Sequence, residues 1–258
     1  VGLGGGIYVE GASPSLRNLR VTGNEMEVVQ VDSVTYEAYG GGVYLKGSAS
    51  VMSNCEVSDN KAHLTDELNP SGDASAYGGG VYVEGGTLLF SHCSLLRNEV
   101  ASTDATEDYH PSPYGGGMYL SRTTAQLLGC TFSENSAGAL GGGIASWFAS
   151  VTLSEVSLFE NSAIAGAGLQ MDESTLSISR AIFEGNQARN NGGGAYIGSS
   201  EAELADCTVQ GNNAGTTGGG MEVFSSTLHL ERVAFRENVA EYSGGTPFKL
   251  FGAPDALV

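Results

Sequence analysis

A single period governs this chain. Gly-Gly-Gly begins at Gly4, Gly40, Gly78, Gly115, Gly141, Gly192 and Gly218, and Gly166-Ala167-Gly168 fills the one vacancy in the series. Twenty positions after each start stands an Asn: Asn24, Asn60, Asn98, Asn135, Asn161, Asn186, Asn212 and Asn238. The gap from each Asn to the next glycine cluster is 16, 18 and 17 in the first three units, then 5 or 6. The basic unit is therefore 25 or 26 residues, and the first three units each carry 10 to 12 more in one corner. A unit this short cannot bury its own apolar face, so it must stack on its neighbours, and the period decides the architecture before local propensity does.

Within each unit the apolar residues keep fixed offsets from the glycine start. Ile7 and Val9, Val43 and Leu45, Val81 and Val83, Met118 and Leu120 stand three and five after it; Leu16, Met52, Phe90, Leu127, Leu153, Ile178, Leu204 and Leu230 stand twelve after it. Alternation with period 2 is strand spacing with one face inward. Triglycine opposes helix, since each Gly costs roughly 1 kcal/mol relative to Ala. The expected fold is all-β: a right-handed, single-stranded parallel β-helix of about eight coils, the hand following the general rule for parallel crossovers. At about 4.8 Å per coil the rod is roughly 40 Å long. Its Asn residues are expected to stack at a corner, each amide bonding the next, because Asn tolerates turn geometry and both donates and accepts.

A leucine-rich repeat is the rival, since Ile178-x-x-Ala181-x-Phe183-x-x-Asn186-x-Ala188 fits its spacing. The return arm decides against it: here it is triglycine followed by a second β-branched strand, and the last column is mostly Ala.

Eleven Lys and Arg against 29 Asp and Glu give a net charge of −18, which opposes nucleic acid or an anionic membrane as partner, because phosphate binding needs clustered bases. A basic or calcium-bridged partner suits this balance better. No apolar run is long enough for a membrane span, so direct membrane insertion is not expected, and the opening Val1-Gly2-Leu3-Gly4 points to a piece of a longer chain. Residues 1–246 are expected to form the β-helix, with 247–258 an end segment or the start of a further region; the open N-terminal edge is expected to stack end to end on further coils or another subunit.

Gly-Gly-Gly-Ile at 4 to 7 and 141 to 144, Gly-Gly-Gly-Val at 40 to 43, and Phe-x-x-Asn at 132 to 135, 183 to 186 and 235 to 238 resemble the paired motifs of the polymorphic outer-membrane proteins of chlamydiae, and the wider group of pectate-lyase-like β-helix surface proteins. The third Gly stands where that family has Ala, and Phe is often Val or Leu. The resemblance implies a β-helix at an extracellular or cell-surface location.

Cys55, Cys93, Cys130 and Cys207 share one inward column and are read as stacked buried thiols, with a bridge of Cys55 to Cys93 or Cys93 to Cys130 within reach. Glu155, Arg180, Asp206 and Arg232 share an outward column and are read as an ionic ladder. Arg97 beside Glu134 and Glu160 is the only base-and-acid grouping that suits a lyase.

The insertions, residues 25–39, 61–77 and 99–114, fall at one corner of consecutive coils and are expected to stack into a lateral lobe holding eleven of the 29 acids. Each ends in a Tyr (Tyr39, Tyr77, Tyr114), and each following coil carries an outward Tyr (Tyr44, Tyr82, Tyr119). These six rings, with Asp66, Glu67, Asp104, Glu107 and Asp108, are the expected binding residues for a protein or glycan of a surface assembly, since rings supply stacking area and carboxylates supply acceptors. No cofactor is expected, with Ca²⁺ at the acidic loops as the candidate ion. The functional reading is a non-catalytic structural or adhesion module; the alternative is a polysaccharide lyase or glycoside hydrolase on the same scaffold.

Overall fold

A computed structural model describes residues 1–30, 36–66, 74–102, 112–242, 246–251 and 256–257. Among these there is no helix, and the strands pair in parallel with their equivalents one coil away. The fourth coil shows the plan: Met118–Ser121, Thr124–Leu128, Thr131–Ser133 and Ser136–Ala137 follow the triglycine and lie in register under Ile144–Trp147, Ser150–Ser154, Ser157–Phe159 and Ser162–Ala165. In the second and third coils the first two strands merge into Val43–Ser53 and Val81–Ser91. The chain is a parallel β-helix, and the horseshoe alternative falls with the absence of helical return arms.

The inward columns make one continuous core, with Val57, Leu95, Phe132, Leu158, Phe183 and Val209 stacked at zero exposure. Burying each such side chain contributes about 1.5–3 kcal/mol. The four Cys lie in this core as free thiols; the Cys55 N–H donates to Cys93 Sγ at 3.3 Å.

Each coil turns at four left-handed residues, with Gly86 a fifth in the third coil. The corners stand 0, 7, 14 and 19 after the glycine start, for example Gly141, Phe148, Glu155 and Glu160 in the fifth coil, with φ of 67°, 50°, 57° and 51°. Only the first corner requires glycine: a Cβ on Gly141 would sit 2.6 Å from the Ile144 carbonyl oxygen, and one on Gly142 would sit 2.4 Å from that of Ser162. The third glycine, Gly143, passes 3.2 Å from the Asn161 amide at the same measure.

That amide belongs to the expected ladder. Asn161 Nδ2 donates to Asn186 Oδ1 and to the Phe132 carbonyl, both at 3.0 Å, while its Oδ1 accepts the Asn135 backbone N–H and side-chain Nδ2. The pattern repeats from Asn60 to Asn212, each fully buried. The reason given from sequence needs correction in one respect: the left-handed residue is the one before each Asn, so the Asn is selected for its amide and not for turn geometry. A second polar ladder, of buried Ser174, Ser200 and Ser226, caps the backbone N–H groups of Ala149, Ser174 and Ser200.

The expected outward ladder forms as two separate pairs, Arg180 with Glu155 at 3.1 Å and Arg232 with Asp206 at 2.5 Å. Each is exposed, so solvent screens it and it adds little to stability. The stack also continues past residue 246: Phe248–Phe251 pairs with Met221–Phe224, and Ala256–Leu257 with Leu228 and His229, so a ninth coil begins.

Candidate functional site

The insertions leave and re-enter the coils as paired strands. Glu25–Gln30, Lys61–Asp66 and Glu99–Ser102 run outward in register, and Tyr36–Tyr39, Ala74–Tyr77 and Ser112–Tyr114 return in register over them. Ala38, Ala62, Leu64, Ala76, Val100 and Ala137 fill the space between the two layers, giving these stems a small core of their own. Several acids counted toward the lobe are spent inside it: Lys61 pairs with Glu99 at 2.9 Å, and His63 lies 3.4 Å from Glu25 and 3.5 Å from Glu27.

The returning strands change the role of the tyrosines. Tyr44, Tyr82 and Tyr119 do point away from the β-helix core, but they are 1%, 5% and 4% exposed, because Tyr39, Tyr77 and Tyr114 lie directly over them. The two rows interleave, with centroids 4.8 Å apart for Tyr44–Tyr82 and 4.9 Å for both Tyr39–Tyr82 and Tyr77–Tyr119. The expected open aromatic strip is thus a buried zipper joining lobe to body. Burial is the first cause that holds the Tyr39, Tyr44, Tyr82 and Tyr119 phenols well above their ordinary range, reinforced by Glu37 at Tyr39 and by Glu84 at Tyr44, whose Oη donates to it at 2.5 Å.

Of the other expected binding residues, Asp66 closes its strand opposite Gln30. Glu67, Asp104, Glu107 and Asp108 fall outside the described residues. Among the described residues no three acidic, His or Cys side chains converge to hold a cation. Arg97, the base of the lyase grouping, is held bidentately by Asp59 at 2.8 and 3.0 Å, which raises its pKa further and commits its guanidinium.

Where the insertions stop, the zipper ends abruptly. The two tyrosine columns continue as Ala145 and Leu140, so the unbroken ring stack stops at Tyr114 and Tyr119, and the inner column holds Ala145 and Gln170 before its next ring, Tyr196. The space left over is a small, half-open cavity lined by Tyr114, Tyr119, Leu140, Trp147, Gln170 and Asp172. Next to it, along the seam between lobe and sheet, runs a cleft whose walls include Glu37, Glu84, Arg122, Trp147 and Phe148. Trp147 and Phe148 are exposed and stacked at 5.7 Å, and the Arg122 guanidinium lies 5.9 Å over the Phe148 ring.

Sequence reasoning missed Glu84, Arg122, Trp147, Phe148, Gln170 and Asp172. The signal was present: the Tyr column breaks at Ala145, two residues before the one Trp of the chain.

A family model described as the right handed beta helix region matches residues 2–146 and 73–240, nearly the whole chain between them. A comparison with curated proteins finds no match.

Proposed function

The chain belongs to the right-handed β-helix family, and on that footing we propose that it is a non-catalytic recognition rod of an extracellular or cell surface, receiving a basic partner on its acidic lobe and the adjoining cleft. One observation carries this reading. Three successive coils build out the same corner as in-register strands with a core and an aromatic seam of their own, and the seam ends in a cleft faced by exposed rings and carboxylates. A corner that only closed the coil would need no such construction, since the fourth to seventh coils close theirs in 5 or 6 residues. Glu25, Glu27 and Glu99 pair within the lobe, and the test therefore starts from the acids at 67, 104, 107 and 108.

The test uses an oligolysine peptide and isothermal titration at moderate salt, where charges beyond about 10 Å are screened. Glu67→Gln, Asp104→Asn, Glu107→Gln and Asp108→Asn together are expected to remove most of the affinity. A charge-matched control, Glu134→Gln, Glu160→Gln, Glu184→Gln and Glu203→Gln, is expected to keep it. Equal loss in both would show attraction by net charge alone and sink the reading. Release of unsaturated uronate products from glycans would establish the lyase alternative instead.

A further inference from the structure

We propose that the cavity between Tyr119, Trp147 and Gln170 is a binding pocket for an organic ammonium group, supplied either as a free alkylammonium or as the side chain of a partner's lysine. The proposal rests on the recognition reading above and names the chemistry of its ligand.

Three features of the lining converge on a cation. Tyr119 ends the unbroken ring stack, with Tyr77, Tyr82 and Tyr114 packed against it and Ala145 following it in the column, and it lines the cavity together with the rings of Tyr114 and Trp147. The negative face of an aromatic ring attracts ammonium within about 6 Å of its centroid. Gln170 is 6% exposed, and its side-chain amide makes no hydrogen bond among the described residues, although buried polar groups ordinarily find partners. It lines the cavity. Asp172 is a half-buried carboxylate with no cationic partner among the described residues, whereas Glu56, Asp59, Glu155 and Asp206 each hold an arginine.

The surroundings agree in sign. Asp172 accepts the Glu173 N–H at 3.2 Å and a bond from Ser199; Glu173 and the Tyr196 phenol are the other titratable groups beside it. Burial is the main cause that raises its pKa. Arg122 lines the neighbouring cleft and is turned onto Phe148. Gly198, next in the same column, leaves the carboxylate room, since a Cβ there would lie 3.1 Å from Asp172 Oδ1. A small neutral ligand would leave that carboxylate without a counter-charge; an ammonium supplies it while touching the rings.

Trp147 is the only Trp and lines both this cavity and the neighbouring cleft, so the Asp172→Asn and Ala145→Phe variants assign an emission change to the cavity. The full chain is titrated with choline, with an oligolysine peptide, and with 3,3-dimethylbutan-1-ol, the uncharged isostere of choline. Choline is expected to change the emission saturably, and the isostere to bind roughly tenfold or more weakly, the scale of a desolvated cation–π contact plus a charge pair. Asp172→Asn is expected to weaken choline to the level of the isostere. Ala145→Phe, which continues the ring stack into the cavity, is expected to fold normally by circular dichroism and abolish binding. Affinity should fall as pH drops through the raised Asp172 titration. Neutralising the acids at 67, 104, 107 and 108 should leave choline binding unchanged, so that a failed lobe and a failed pocket are told apart. Saturation by the lysine peptide and not by choline would assign the ammonium to a partner's side chain; the reverse would assign it to a free molecule. Equal affinity for choline and its isostere, silence with both cations, or unchanged binding in Ala145→Phe would overturn the proposal.

Discussion

Replacing Asn161 with Ala removes the midpoint of the amide ladder, and the cost follows from counting what is stranded. The Asn135 backbone N–H and one Asn135 Nδ2 proton lose their only acceptor, while the other Nδ2 proton keeps the Leu95 carbonyl. The Phe132 carbonyl loses a donor, and Asn186 Oδ1 keeps only the backbone N–H of residue 161. Each donor stranded in a buried site costs about 1–3 kcal/mol, so the two together cost roughly 2–6 kcal/mol. That is a large part of the roughly 5–15 kcal/mol that holds a domain folded. Asn24→Ala is the internal control. Asn24 is half-buried at the end of the ladder, and an alanine there keeps its backbone N–H bond to Asn60 Oδ1, so the expected cost is about 1 kcal/mol. Urea unfolding followed by far-UV circular dichroism gives the two values, and hydrogen exchange at the Asn135 amide reports local opening, which a stacked solenoid permits without global unfolding. If the two variants differ by less than about 1 kcal/mol, or the Asn135 amide stays as protected as before, the ladder is not holding the coils and the count is wrong.

Two further outcomes test the corners and the core. Gly142→Ala drives a Cβ to 2.4 Å from the Ser162 carbonyl oxygen and is expected to cost roughly 3 kcal/mol or more in thermal or urea unfolding. Gly11→Ala, also at a corner but with nothing within 4 Å, is expected to cost only about 1 kcal/mol for its left-handed backbone. A thiol reagent at mildly alkaline pH is expected to label none of the four Cys until denaturant is added. Each is at most 3% exposed, and burial pushes the Cys93 thiol up to about 12 and those of Cys130 and Cys207 upward as well. Fast labelling of the native protein would show that the coils open readily.

The stacking was readable because it depends on spacing alone. A column of Asn at a constant offset has donors and acceptors in the right number, and a column of Leu and Phe with period 2 has one place to go. The fate of the tyrosines depends instead on where an insertion returns, which no local pattern encodes: Tyr82 looks outward from its own strand and is buried by Tyr39 and Tyr77, 43 and 5 positions before it. The cavity is harder still, because it is made by a small residue, Ala145, and takes shape only beside walls from Tyr114, Leu140 and Trp147. The ninth coil escaped notice because Thr246 and Pro247 stand where the pattern has its second and third glycines. Their carbonyls nevertheless accept the Gly218 and Gly220 N–H groups at 2.7 Å.

The uniform register of the later coils also makes length an adjustable quantity. Residues 192–217 form one 26-residue coil with no insertion, and excising them would join Asn191 to Gly218 with every column still in phase. The product would be shorter by one strand spacing, about 4.8 Å, with the tyrosine seam and everything before it untouched. A scaffold of this kind can set the distance between what it holds at one end and what it meets at the other in fixed increments, as a ruler does.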